Sequence, residues 1–338
     1  MIWLTWRQFR AQATTVYAAV AAFAVVLAIT GPRLLHLSRA YPNALFDQLT
    51  RTDRNLYNAG LVVLAVAPAV IGAFWGAPMV ARELEAGTHR LAWNQTVTRT
   101  RWLATKLGVT ALATAAAVGV LTLAVTWWAG PLDGTTGKNH GELPARLTPV
   151  AFAMRGVAPV AYAVFALVLG VAVGLLLRRT LPAMAVTLAV FTLVQVAVPL
   201  WVRPHLLPPA RQTVTIADNL TSIEMSGPGG PMRLAVTTGN RGDWVLSNKT
   251  VDASGHEITA LPSWFGDCLP PPTSAGPGKA PDIRGCLVRL GDLGYRQLVV
   301  YQPASRFWPL QWAETALFLA LSGLLTWFCF WWTRRRLA

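Results

Sequence analysis

Six stretches of this chain are long and apolar enough to cross a hydrocarbon core: residues 14–31, 60–80, 107–129, 157–177, 181–202 and 311–332. A core about 30 Å thick needs roughly 20 apolar residues in helical form, because every backbone polar group inside it must be bonded within its own helix. The pattern predicts an α-helical integral membrane protein with six transmembrane helices. The first run follows Arg7 and Arg10 as a signal peptide would. It is long for such a segment and has no clear small-residue cleavage site, so it is expected to stay as a span. Hydrophobic residues make up 54% of the chain and charged residues 13%, which argues against a soluble enzyme. The net charge of +14 would suit a nucleic-acid surface, yet the basic residues flank the apolar runs instead of lining one helical face. No nucleic-acid partner is expected.

Basic residues beside spans set orientation. With the N-terminus inside, segments 1–13, 81–106, 178–180 and 333–338 hold twelve Lys and Arg, against seven in the short outer segments 32–59 and 130–156. Both termini are then expected in the cytoplasm, with Arg334, Arg335 and Arg336 as the clearest mark. The segment 203–310 is too long and polar to span, and falls outside. Its stretches 213–225, 233–239, 244–251 and 297–302 are rich in Val, Ile and Thr and read as short strands, with turn composition at 227–231 and 269–281. A small β-rich extracytoplasmic domain between helices 5 and 6 is the expectation, and a floppy loop the alternative. Cys268 and Cys286 both lie there, and an oxidising compartment would permit a disulfide between them; two unpaired thiols is the other reading. The expected division is 1–13 as an N-terminal helix, 14–202 as five spans with a cytoplasmic loop at 81–106, 203–310 as the outer domain, and 311–338 as the last span with a basic tail.

Several kinds of chemistry are missing. The nearest approaches to the phosphate-cradling G-x-x-x-x-G-K-[ST] loop, 134-GTTGKN-139 and 276-GPGKA-280, keep neither the spacing nor the final hydroxyl. His36, His89, His140, His205 and His256 form no H-E-x-x-H pair, no metal site is expected, and no G-x-S-x-G elbow exists. Glu314 is the one acid within a predicted span, too little for a proton relay. The chain should therefore neither hydrolyse nucleotide nor run on an ion gradient by itself, and no catalytic residue is assigned.

Between the second and third runs lies 81-ARELEAGTHRLAWNQTVTRTRW-102. Glu83 and Glu85, then Gly87 and Thr88, then the patterned 89–102 suggest a helix end, a glycine break and a second short helix along the membrane face. From the residues alone this serves equally as a docking surface for a soluble partner and as a positive loop that fixes topology. At the N-terminus, Ile2, Trp3, Trp6, Phe9 and Arg10 stand at helical spacing, so rings can enter the acyl boundary while Arg7 and Arg10 meet phosphates. An aromatic belt at the start of a span would look the same. Gly170 and Gly174 have G-x-x-x-G spacing, open to a dimer seam or to internal packing.

The pattern E-x-E-x-G-T-x-R-L…R-x-x-W-x-x-x-K, present as Glu83, Glu85, Gly87, Thr88, Arg90, Leu91, Arg99, Trp102 and Lys106, resembles the corresponding loop of ABC-2-type permeases, the membrane subunits of ATP-binding-cassette exporters. The segment 1–12, with Trp3, Trp6, Arg7 and Arg10, is similar to the elbow helix of such permeases, and 301–321 resembles a C-terminal signature of actinobacterial members. The resemblance implies that Glu83, Glu85, Gly87, Thr88, Arg90, Arg99 and Trp102 couple the spans to an ABC ATPase (nucleotide-binding) subunit. It also implies that ATP and Mg bind on that subunit with no cofactor on this chain, that a second permease copy or paralogue completes a dimer, and that the site of action is the plasma membrane. Gln195, Thr187 and Thr192 as the few polar candidates for a lining suit an amphiphilic drug, peptide or lipid. The rival is a membrane-anchored extracytoplasmic ligand-binding or sensory protein, for which six spans exceed what an anchor requires.

Overall fold

The computed structural model describes residues 2–42, 44–88, 98–133, 143–225, 232–238, 242–268 and 282–336. The chain divides into two compact units, Met1–Leu206 with Phe307–Ala338, and Leu207–Arg306.

The first unit holds six long apolar helices: α1 (Ile2–Ala40), α2 (Arg51–Glu85), α3 (Arg99–Asp133), α4 (Ala158–Leu177), α5 (Thr180–Leu206) and α6 (Phe307–Arg335). Each is long and apolar enough to span a membrane. At 1.5 Å per residue the 20 residues of α4 cover about 30 Å, the thickness of the hydrocarbon core, whereas the 35 residues of α2 and of α3 cover about 52 Å and must project beyond it. Apolar length thus marks where the helices cross, and their polar ends extend past those limits. The start of α2 is fixed by a capping box in which Thr50 accepts from the Asp53 N–H and Asp53 accepts from the Thr50 N–H. Helix α1 runs unbroken from residue 2, so the N-terminal helix and the first span are one element.

Helix α4 is the centre of this unit. In its apolar window 78% is buried, against 11% for α1, and it packs against α2, α3, α5 and α6 while α1 lies along α3. Glycines bring α2 and α4 to backbone contact. A Cβ on Gly72 would stand 2.7 Å from the Ala166 carbonyl, one on Gly174 would stand 2.7 Å from that of Ala77, and Gly76 and Gly170 are closer still to Leu167 and Gly72. Two small-residue ridges, Gly72 with Gly76 and Gly170 with Gly174, interlock. This resolves the G-x-x-x-G spacing in favour of packing inside the subunit.

Two helices widen to π turns, at Ile71–Gly76 in α2 and Val198–Val202 in α5. Each added residue rotates the downstream part of the helix by about 100° relative to the upstream part. In α5, a helix otherwise mostly exposed, this turns Arg203 into the core, where it is 1% exposed.

The second unit is a small α+β fold. A three-stranded antiparallel sheet has the order β1 (Ala210–Val214), β5 (Arg296–Gln302), β4 (Trp244–Val251), and β2 (Leu220–Met225) pairs antiparallel with β3 (Met232–Val236). The predicted strand 213–225 is interrupted by a helical turn at Ile216–Asn219. A helix at Ile283–Asp292, capped by the Asp282 side chain on the Gly285 N–H, was not anticipated. Ile216, Leu234, Val236, Phe265, Leu287, Leu290 and Val299 form the core. Cys268 and Cys286 are joined by a disulfide across a sequence separation of 18. A loop of that size contributes about 3 kcal/mol through lost unfolded-state entropy. Cys286→Ser is expected to lower the unfolding free energy of this unit by about that amount and leave the helical unit intact, read as protease sensitivity confined to residues 207–306. Unchanged resistance would show that the core suffices alone.

Candidate coupling site

Helix α2 ends in a polar turn that grips two other helices. The Glu83 carboxylate pairs with the Lys106 ammonium of α3, which is itself buried and lies 5.0 Å over the Trp102 ring. Trp102 and Lys106 are four residues apart on one helix, so they share a face. Trp102 is 1% exposed and packs with Val80, Leu103, Val168, Leu175 and Cys329. A cation–π contact and an ion pair keep the buried Lys106 charge compensated. Glu85 reaches α5, where it accepts from the Thr180 N–H at 3.0 Å and from its hydroxyl at 2.7 Å. It therefore caps the start of α5 from a neighbouring helix, a place where unbonded N–H groups and the helix dipole favour a carboxylate.

Gly87 leaves the helix with φ +70°, a conformation glycine adopts without steric cost, and Thr88 follows. Arg99 opens α3, where the Thr98 hydroxyl accepts from the Arg101 N–H. Arg90 falls in 89–97, outside the described residues, as does most of the expected second short helix; 99–102 belong to α3. At the N-terminus Arg10 is exposed, and Trp3, Trp6 and Arg7 are helical in backbone with side chains outside the described part. Of the residues implied by resemblance, Glu83 and Trp102 meet through Lys106, while Glu85 is bonded to Thr180, a residue the sequence did not single out.

The opposite end of the bundle carries a second polar network that sequence reasoning missed. Arg203 donates to both carboxylate oxygens of Glu314, at 2.7 and 2.9 Å, and to the Pro149 carbonyl at 2.9 Å, and its guanidinium lies 4.3 Å over Phe152. Tyr162 donates to Glu314 at 2.5 Å. One turn earlier, Gln311 accepts from the Val157 and Ala158 N–H groups and donates to the Phe152 carbonyl, capping α4 from α6. Asp133 holds Arg155 in a two-pronged pair; burial alone would lower the affinity of Arg155 for its proton, and the carboxylate more than reverses this. Of the polar residues suggested for a lining, Thr187 is buried with its hydroxyl on the Ala183 carbonyl, and Thr192 is exposed.

Six apolar helices, one of them central, with an ionic clasp at one end and a buried charge network at the other, define a polytopic α-helical membrane protein. The family model described as ABC-2 membrane transporter related matches residues 16–203, more than half of the chain, and the chain belongs to that family. The match runs from α1 to Arg203. At the level of the family the chain is a transporter permease, typically non-catalytic, and the family implies a nucleotide-binding partner. No curated protein and no solved structure matches it.

Proposed function

We propose that the chain is the membrane-spanning subunit of an ATP-driven ABC exporter, coupling hydrolysis on a separate ATPase subunit to export of an amphiphilic drug, peptide or lipid. The supporting observation is the double grip of the last turn of α2, through Glu83 on α3 and Glu85 on α5. A push on residues 81–106 from a soluble partner then reaches three helices at once instead of bending one loop. The excess of basic residues around this end supports a cytoplasmic setting. The Cys268–Cys286 disulfide supports an oxidising, extracytoplasmic setting for Leu207–Arg306. ATP and Mg sit on the partner, and a second permease copy or paralogue completes the transporter.

The test is purification of the tagged chain from its host in mild detergent, with copurifying proteins identified and ATPase activity measured. A stoichiometric partner carrying a Walker motif is expected. Glu85→Gln, alone and with Glu83→Gln, should still bring that partner down but lower substrate-stimulated ATPase by roughly tenfold, the scale of a lost hydrogen bond to a charged group. Failure of any Walker-motif protein to copurify across several detergents would overturn the proposal, and full stimulation in the double variant would remove these residues from coupling.

A further inference from the structure

The turn between α4 and α5 is two residues long and both are arginines. Arg178 closes α4 with φ 54°, and is the one non-glycine residue at positive φ among the described residues. Glycine takes that conformation freely and is the usual residue at such a helix end, so an arginine there has a steric cost that its backbone role does not explain. Its guanidinium explains more. It donates to the Arg336 carbonyl at 3.3 Å, which brings the two-arginine turn to the end of α6, where Arg334, Arg335 and Arg336 follow one another. All five are exposed, and none closes an ion pair with a carboxylate among the described residues; Glu85, bonded to Thr180, lies close enough for its charge to be felt by Arg179 alone of the five.

Five like charges held together raise one another's energy unless an anion joins them. The surface alongside indicates its source. Leu176, Leu177 and Leu181 flank the arginine pair and are 46%, 41% and 78% exposed, an apolar surface next to the cations, and Arg335 lies 5.8 Å from the Trp331 ring. A free phosphate would use only the guanidinium groups. A molecule with a phosphate head and apolar tails uses both.

We infer that Arg178, Arg179, Arg334, Arg335 and Arg336 form a binding site for the phosphate headgroup of an anionic phospholipid, with its acyl chains along Leu176, Leu177 and Leu181. The site binds one lipid at the junction of α4, α5 and α6, beside the Glu85 grip on α5. It depends on the chain residing in a membrane and not on ATP coupling, so either reading can fail while the other stands.

The experiment uses the full chain, delipidated in mild detergent and titrated with phosphatidylglycerol, with phosphatidylcholine as the zwitterionic comparison and bound lipid counted by native mass spectrometry. Arg178→Gly with Arg179→Gln relieves the backbone cost and removes two cations. It should keep the thermal stability of the wild type while weakening phosphatidylglycerol binding by about 25-fold, from about fivefold for each cation at a lipid surface. Arg39→Gln with Arg51→Gln, at the other end of the bundle, should leave binding unchanged. Equal retention of the two lipids, undiminished phosphatidylglycerol binding in the Arg178 and Arg179 variant, or displacement of the lipid by millimolar inorganic phosphate would each overturn the assignment. So would loss of a copurifying ATPase with lipid retention intact, which would give these arginines to a protein partner.

Discussion

Glu314→Ala is expected to cost the helical unit about 3–5 kcal/mol and to lower its unfolding temperature in detergent by roughly 10 °C. Arg203 and Glu314 are each 1% exposed and share two hydrogen bonds. Removing the acid leaves a guanidinium inside the bundle with the Pro149 carbonyl, the Phe152 ring and the Tyr162 hydroxyl as contacts, none of them a carboxylate, and leaves that hydroxyl without its acceptor. The loss therefore combines an uncompensated charge with an unmade hydrogen bond. Glu314→Gln keeps an acceptor and should lose less. Arg203→Met combined with Glu314→Leu removes both charges and fills the space, so it should regain most of the stability that either single change forfeits. Tryptophan fluorescence on heating reads all four proteins. If Glu314→Ala melts with the wild type, water reaches the pair and it is not the sealed contact described.

Spans and their order were legible because a bilayer imposes one demand, a long apolar helix, that composition alone reveals. The same rule hid Arg203. It stands directly after the apolar run 181–202 and counts as a flank on any hydropathy reading, and only the π turn at Val198–Val202 rotates it inward to Glu314. A lone acid in a span is a sign that a partner exists, and nothing in one sequence says which arginine it is. The polar loop was legible in part. Glu83 and Lys106 are 23 residues apart and meet because α2 and α3 are antiparallel neighbours, a relation the order of spans suggests. Glu85 and Thr180 are 95 apart, and their contact follows from α5 packing beside α2, which no local pattern encodes. The helix Ile283–Asp292 had its signals in place, an Asp282 cap and then Leu287 and Leu290 on one face, but the strand-like stretches around it drew the reading toward β structure.

Gly170→Leu should be the other severe change, costing roughly 3 kcal/mol or more. A Cβ at this position would collide with the Gly72 carbonyl oxygen and stand 2.7 Å from the Ala77 nitrogen, both backbone atoms that no rotamer change can move aside. Relief requires α2 and α4 to separate, which gives up close contact along the whole ridge from Gly72 to Ala77. Gly323→Ala provides the opposite sign, since nothing lies within 4 Å of a Cβ there and a mid-helix glycine is less favourable than alanine by roughly 0.5–1 kcal/mol. Melting curves of the two variants should fall on either side of the wild type, and coincidence of all three would mean that the seam is loose. The consequence reaches function through geometry. Glu83 and Glu85 lie on the last turns of the same α2 that the seam holds against α4. A helix displaced from Gly170 carries both carboxylates away from Lys106 and Thr180 together, so the proposed coupling should fail in Gly170→Leu even in the fraction that still inserts and folds.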